Sequence, residues 1–128
     1  MLICKYSIMK LFVIKNVNCY HNTFNLDINN TCNIKNSLNS NIIFNNKFNK
    51  LIIEKCNSLY IELPQIITSI EINNSNNIFI KLNNNNKNMI PCIELYKSTL
   101  YIIGNIDLYN DTLIISESSN LNHLSLKE

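Results

Sequence analysis

The sequence predicts an all-β chain wound as a parallel β-helix, a solenoid of about six short coils. Three observations point there. Segments of like pattern recur, so that residues 51–63 fall on 70–82 at an offset of 19. Within each copy apolar residues alternate over short stretches and break at a small residue, the mark of strand, corner, strand. The residue types also favour strands: Ile, Val, Tyr, Phe and Thr supply the pattern, whereas Ala is missing and Gln is scarce, so helical periodicity has little to build on.

The pair LIIEKCNSLYIEL (51–63) and IEINNSNNIFIKL (70–82) sets the register without a gap. Leu51 falls on Ile70, Ile53 on Ile72, Cys56 on Ser75, Leu59 on Ile78, Ile61 on Ile80 and Leu63 on Leu82. The same offset runs back onto CNIKNSLNSNIIF (32–44), where Cys32, Ile34, Ser37, Ser40, Ile42 and Phe44 take those places. Before it, FVIKNVN (12–18) reads as a degenerate opening coil. After it, an Asn-rich insertion at 83–88 interrupts the row and reads as a low-complexity loop. The row resumes as IELYKSTLYIIG (93–104) with one residue fewer in its middle, and a last copy reads LIISESSNLNHLSL (113–126). So short a repeat cannot form a hairpin sandwich with equivalent positions in every copy; in the rival antiparallel sandwich the repeat would be an accident. It can wind once around a prism, stacking equivalent side chains at the parallel-strand spacing of about 4.8 Å.

Corners need residues that tolerate the left-handed backbone region. The chain has one glycine, Gly104, and two prolines, Pro64 and Pro91, so Asn, roughly a fifth of all residues, is expected to do most of the turning. Asn39, Ser58 and Asn77 fall in one corner column, and Asn57 and Asn76 in the next, where stacked amides support a solenoid.

Length and composition set the remaining bounds. The 128 residues suit a single domain, 1–128, with one continuous core. The net charge of +2 comes from 11 Lys and 9 acidic residues scattered in no long block, which argues against a nucleic-acid partner. The five cysteines lie at 4, 19, 32, 56 and 92, with no C-x-x-C pair, and read as free buried thiols in a reducing compartment rather than a zinc site. Lys5, Lys10 and Lys15 interrupt the N-terminal stretch, so neither a signal peptide nor a membrane span is expected.

With Leu51, Ile53, Ile61 and Leu63 inward, their neighbours face out. Tyr60, Phe79 and Tyr101 form one exterior column; Glu62, Lys81 and Ile103 form the column beside it. A third holds Ile52, Glu71, Glu94 and Ile114, and a fourth Glu54, Asn73, Tyr96 and Ser116. The aromatic column reads either as a strip for a partner or as stacked rings that stabilise the sheet. His21 and His123 lie in different coils without a patterned nucleophile beside them and read as surface or corner residues. Glu71 and Glu94, one coil apart, have the spacing of a glycosidase pair, but no aromatic-lined groove accompanies them. One glycine cannot build a phosphate loop. The expectation is a protein without catalytic residues, cofactor or metal.

KFNKLIIEKCNSLYIEL (47–63) followed by ITSIEINNSNNIFIKL (67–82) resembles the middle coils of the C-terminal domain of adenylyl cyclase-associated proteins. IPCIELYKSTLYI (90–102) and LIISESSNLNHLSL (113–126) follow in the expected order, and KLFVIKN (10–16) matches the opening strand, so the resemblance covers nearly the whole chain. It implies a right-handed parallel β-helix and a stand-alone short form of a cytoplasmic, cytoskeleton-associated protein. That protein would bind ADP-loaded monomeric actin and promote its nucleotide exchange, together with cofilin, by favouring one actin state over another. Geometry and resemblance together single out Glu54, Lys55, Glu71, Lys81, Glu94 and Lys97 as actin-binding residues. In relatives the last coil is followed by a hairpin exchanged between two subunits and by an actin-binding tail. Here the sequence stops at Leu126-Lys127-Glu128, as a gene model truncated at a splice junction would, so the homodimer built on that hairpin is not expected. The alternatives are a structural solenoid or a binding module like the tubulin-folding cofactor C domain. That domain's GTPase activation needs an arginine fork that Lys does not reproduce, and this chain has no arginine.

Overall fold

A computed structural model of the chain describes residues 10–83, 90–104 and 108–124. The strands, in order, are β1 (Lys10–Lys15), β2 (His21–Phe24), β3 (Asn30–Lys35), β4 (Leu38–Phe44), β5 (Phe48–Glu54), β6 (Asn57–Leu63), β7 (Ile66–Asn73), β8 (Asn76–Leu82), β9 (Cys92–Tyr96), β10 (Thr99–Ile103), β11 (Leu113–Glu117) and β12 (Asn120–Leu124). A single helical turn, α1 (Leu108–Asp111), precedes β11. Odd strands pair in one parallel sheet, β1-β3-β5-β7-β9-β11, and even strands in a second, β2-β4-β6-β8-β10-β12. Each coil is thus one strand from either sheet, and the stack is a flattened solenoid of six coils with two broad faces rather than an even prism.

The alternation in the sequence explains the two layers. Inward columns such as Cys32–Leu51–Ile70–Ile93 and Ile34–Ile53–Ile72–Leu95 face Leu59–Ile78–Leu100 and Ile42–Ile61–Ile80–Ile102 across the interior. These side chains are almost wholly buried, and each Ile or Leu so placed contributes about 1.5–3 kcal/mol. The pairings Leu51–Ile70, Ile53–Ile72, Ile61–Ile80 and Leu63–Leu82 follow the sequence offset, as do Cys32–Leu51 and Ile42–Ile61 one coil earlier.

Two kinds of turn close each coil. From the odd to the even sheet the corner is short and opens with a residue in the left-handed region: Asn16, Asn36, Lys55, Asn74, Lys97 and Ser118, with φ between 48 and 59°. A second left-handed residue follows in the first four coils at Cys19, Asn39, Ser58 and Asn77. The one-residue deletion near Ser98 removes it from the last two. Asn therefore takes only half of these ten positions. Lys55, Lys97, Cys19, Ser58 and Ser118 are held left-handed by the coils stacked on them, at a cost of roughly 1–2 kcal/mol each. Behind the first left-handed residue runs a buried ladder. Cys56 N–H donates to Ser75 Oγ (3.0 Å), Ser75 N–H to Ser98 Oγ (3.1 Å) and Ser98 N–H to Ser119 Oγ (2.9 Å), while each hydroxyl donates to the carbonyl two residues before it. Cys56 stands in this column as a serine surrogate, its sulfur taking the Ser37 N–H and lying 3.3 Å from the Glu54 carbonyl.

The return from the even to the odd sheet is irregular in length and packed by large side chains. Leu26, Phe48, Ile66, Ile90 and Leu108 are buried there, and Phe12, Phe24, Phe44 and Phe48 run as a chain of rings with centroids 5.0, 5.9 and 4.8 Å apart. Gly104 follows β10 at φ 146°, where an added Cβ would lie 3.1 Å from the Leu82 Cβ and 3.2 Å from its carbonyl oxygen, so the one glycine sits where the chain passes closest to the coil before it. Of the Asn-rich insertion 83–88 only Asn83 is among the described residues.

The last coil departs from the expected register by one residue. Ile115, not Ile114, joins the Glu71–Glu94 column, and Glu117, not Ser116, joins Glu54–Asn73–Tyr96. Ile114 instead packs inward on Ile93. The thiols also differ from expectation. Cys32 and Cys56 are buried, with burial pushing Cys32 up to about 12, whereas Cys19 is exposed and Cys92 half-buried on the outer face.

Candidate functional site

The two broad faces have different chemistry. On the even sheet, Asn41, Tyr60, Phe79, Tyr101 and Asn122 form one exterior column, flanked by Ile43, Glu62, Lys81, Ile103 and Leu124. The Phe79 and Tyr101 rings stack with centroids 4.6 Å apart at 10°. Burial, then the Glu62 carboxylate, raises the Tyr60 hydroxyl above its ordinary range. A shallow groove runs between Tyr60, Phe79 and the corner residues Asn39, Ser58 and Asn77. Both sequence readings of the aromatic column thus keep support: rings stack along the sheet, and a groove lies beside them.

On the odd sheet the exterior is charged. One column reads Lys15, Lys35, Glu54, Asn73, Tyr96, Glu117, and its neighbour Val13, Asn33, Ile52, Glu71, Glu94, Ile115. Lys50 pairs with Glu71 at 3.3 Å, and Asn73 Nδ2 donates to the other Glu71 oxygen at 3.0 Å. Asn33, buried though on the outer face, donates through Nδ2 to Glu54 at 2.9 Å. Burial, then Glu94, raises the Cys92 thiol, with Lys50 pulling it down. A hollow of about 250 Å³ opens between Lys35, Asn36, Glu54 and Lys55, and another of about 210 Å³ between Glu71, Glu94, Tyr96, Ile115 and Glu117.

Five of the six residues singled out from the sequence share this face or the corner bounding it. Glu54, Glu71 and Glu94 lie on the sheet; Lys55 and Lys97 project from the left-handed corner, Lys97 standing 5.3 Å over the Tyr96 ring. Lys81 lies on the opposite sheet, between Glu62 and Ile103. Sequence reasoning passed over Lys35, Asn36 and Glu117 as site neighbours; their shared columns with Glu54 and Lys55 were the signal. Glu71 and Glu94 are direct neighbours across β7 and β9, but the Glu71 carboxylate is already engaged by Lys50 and Asn73. His123 points inward at the open last coil, its Nε2 donating to the Gly104 carbonyl at 2.9 Å, and not at a surface or corner. Among the described residues no group of His, Cys, Asp and Glu is arranged to hold a metal ion.

The described residues thus form a two-sheet stack of parallel coils with one charged and one aromatic face. The family model "Adenylate cyclase associated (CAP) C terminal" matches residues 5–127. The chain belongs to this family of cyclase-associated protein C-terminal domains. Its fold is similar to that in the crystal structure of cyclase-associated protein from Cryptosporidium parvum, with a TM-score of 0.74 and 25% identity, covering 91% of this chain and 73% of that one. No curated protein matches the chain. Among the described residues no helix is long and apolar enough to cross a membrane.

Proposed function

We propose that the chain is a non-catalytic, cytoplasmic partner of monomeric actin that promotes nucleotide exchange on ADP-actin, acting alongside cofilin. The observation that carries this reading is the family match over residues 5–127. The mechanism is one of differential binding: a partner that holds the nucleotide-releasing state of actin more tightly shifts actin toward it, and no group on the chain need touch the phosphates. The contact is assigned to the odd-sheet face with Glu54, Lys55, Glu71, Glu94 and Lys97. Lys81, on the other sheet, is a separate contact that a partner embracing both faces would reach.

The test is exchange of labelled ATP on ADP-bound monomeric actin, with and without the chain. Dose-dependent acceleration supports the reading; no acceleration together with no binding ends it. Lys55→Glu combined with Lys97→Glu is expected to weaken actin binding about tenfold or more with an unchanged melting temperature. Glu54 is less suited to such a test because Asn33 already holds it. Unchanged affinity of the double variant would remove the odd-sheet corner from the contact, and an equal loss from Lys81→Glu alone would move it to the aromatic face.

A further inference from the structure

A furrow runs across the middle coils on the corner side of the even sheet, and we propose that it holds an uncharged, proline-rich segment of a partner protein in the polyproline II conformation. One wall is the column of second left-handed residues, Asn39, Ser58 and Asn77; the other is the exterior column Asn41, Tyr60 and Phe79. Ser40 and Leu59, which point inward, form the floor. In the fifth coil the second left-handed residue is missing and Tyr101 stacks directly on Phe79, so the first wall ends at Asn77. The furrow encloses about 410 Å³, a size at which clefts take small ligands or a few residues of a peptide.

Charge, ring geometry and hydrogen bonding select the occupant. None of the side chains lining the furrow is charged, so neither an acidic nor a basic segment finds its complement there. Phe79 and Tyr101 stack with centroids 4.6 Å apart, but Tyr60, directly across from Phe79 in the preceding coil, makes no ring contact with it. The aromatic column is therefore open between Tyr60 and Phe79, and a rigid apolar ring packs there at little entropic cost. Ser58 and Asn77 each spend a donor on Asn57 Oδ1, at 3.0 and 3.2 Å, whereas the side chains of Asn41 and Tyr60 have no hydrogen-bond partner among the described residues. A polyproline II chain has unbonded carbonyls and few N–H groups, so it needs donors and offers almost none. The spacing also fits. One turn of three residues advances about 9.3 Å, and two coils of the solenoid span about 9.6 Å. Prolines three residues apart then meet Phe79 and Asn41, two coils apart, with a carbonyl between them at the Tyr60 hydroxyl. The furrow lies on the sheet opposite the charged face assigned to actin, so the proposal goes beyond that reading.

The test is a calorimetric titration of the full chain with oligoproline, beside a Gly-Ser peptide of equal length and a neutral linear oligosaccharide. Saturable binding of oligoproline alone is expected. Tyr60→Ala should weaken it about tenfold or more, with the circular dichroism unchanged. Tyr60→Phe keeps the ring and removes only the donor, and should weaken it about threefold to tenfold. Lys55→Glu combined with Lys97→Glu should leave it unchanged, so the peptide site and the actin contact are read separately. Absence of oligoproline binding overturns the proposal. So does binding of the oligosaccharide in its place, which would assign the furrow to a sugar, or oligoproline binding that ignores both Tyr60 variants.

Discussion

The corner from the odd to the even sheet takes two residues in five of the six coils, from Asn36–Ser37 to Ser118–Ser119, whereas the return side ranges from two residues at 64–65 to nine at 83–91. Both turns reverse the same chain around the same core, yet they are held in different ways. The short corner is fixed by direction: a left-handed residue, then a buried hydroxyl that ties each coil to the next. The one change of length there, the residue lost after Ser98, falls beyond the hydroxyl and leaves the ladder intact. The return side is fixed by volume, because Phe48, Ile66 and Leu108 fill the interior and leave the backbone between them free in length. Insertions accumulate where packing, not hydrogen bonding, sets the geometry.

The largest effect should come from emptying the return side. Phe48→Ala removes a fully buried ring that lies 4.8 Å from Phe44 and opposite Ile66 in the next coil. Urea unfolding should show a loss of about 3–5 kcal/mol. A loss below about 1 kcal/mol would mean that the side chains on this side do not hold the turn, and the contrast with the corner would fail.

Next in size is a break in the ladder. Ser75→Ala leaves the Cys56 N–H without its acceptor in a buried corner and takes one of two donors from the Asn73 carbonyl, which keeps the Lys55 N–H. The expected loss is about 1–3 kcal/mol by the same measurement. Hydrogen exchange at the Cys56 amide should quicken while the amides of β5 and β6 away from the corner stay protected.

The two turns also explain what could be read from the sequence. The corner repeats in every coil, so the offset of 19 found Cys56 over Ser75 and Asn57 over Asn76 and placed the inward columns of the middle coils correctly. It failed in the last coil because Leu113-Ile114-Ile115 is apolar at three successive positions, and an apolar run without alternation has no phase. A slip of one residue there turns every side chain to the opposite face. Ser119, which accepts the Ser98 N–H, would have fixed the register had the corner been aligned before the strand. The candidate face was half legible for a related reason. Columns follow from the repeat, but which columns share a sheet depends on where the chain crosses the corner. Glu54 precedes that crossing and Lys81 follows one, so they stand on opposite faces. The exposure of Cys19 and Cys92 was hidden because a thiol suits a corner, an outer column and a core equally.

The cysteine in the ladder offers a smaller and more selective test. Cys56 is the one sulfur in a column otherwise continued by Ser37, Ser75, Ser98 and Ser119, and burial raises its thiol above the usual range. A group whose folded value is raised contributes stability that is complete below its unfolded value and is lost as pH rises through the folded one. Cys56→Ser should therefore be at least as stable as the parent at neutral pH, within about 1 kcal/mol, and should lose less stability above the ordinary thiol range near 9. If the variant is clearly weaker at neutral pH, the corner prizes the volume of sulfur over the hydrogen bond, and the ladder is not what fixes this turn.

The smallest effect concerns the second left-handed residue, which only the first four coils possess. Ser58 sits at φ 58° between Asn39 at 49° and Asn77 at 56° in the coils on either side. Asn reaches this region at lower cost than Ser, because its amide can bond locally. Asn77 Nδ2 already donates to Asn57 Oδ1 at 3.2 Å, while Ser58 spends its hydroxyl on the same Asn57 oxygen at 3.0 Å. Ser58→Asn should ease the backbone and extend the amide column without disturbing the buried serines behind it. The gain should be about 0.5–1 kcal/mol, read as a rise in melting temperature with unchanged cooperativity. A fall instead would show that the hydroxyl bond to Asn57, and not the backbone region, sets the residue at this position. The outer half of the corner would then be held by hydrogen bonding as its inner half is.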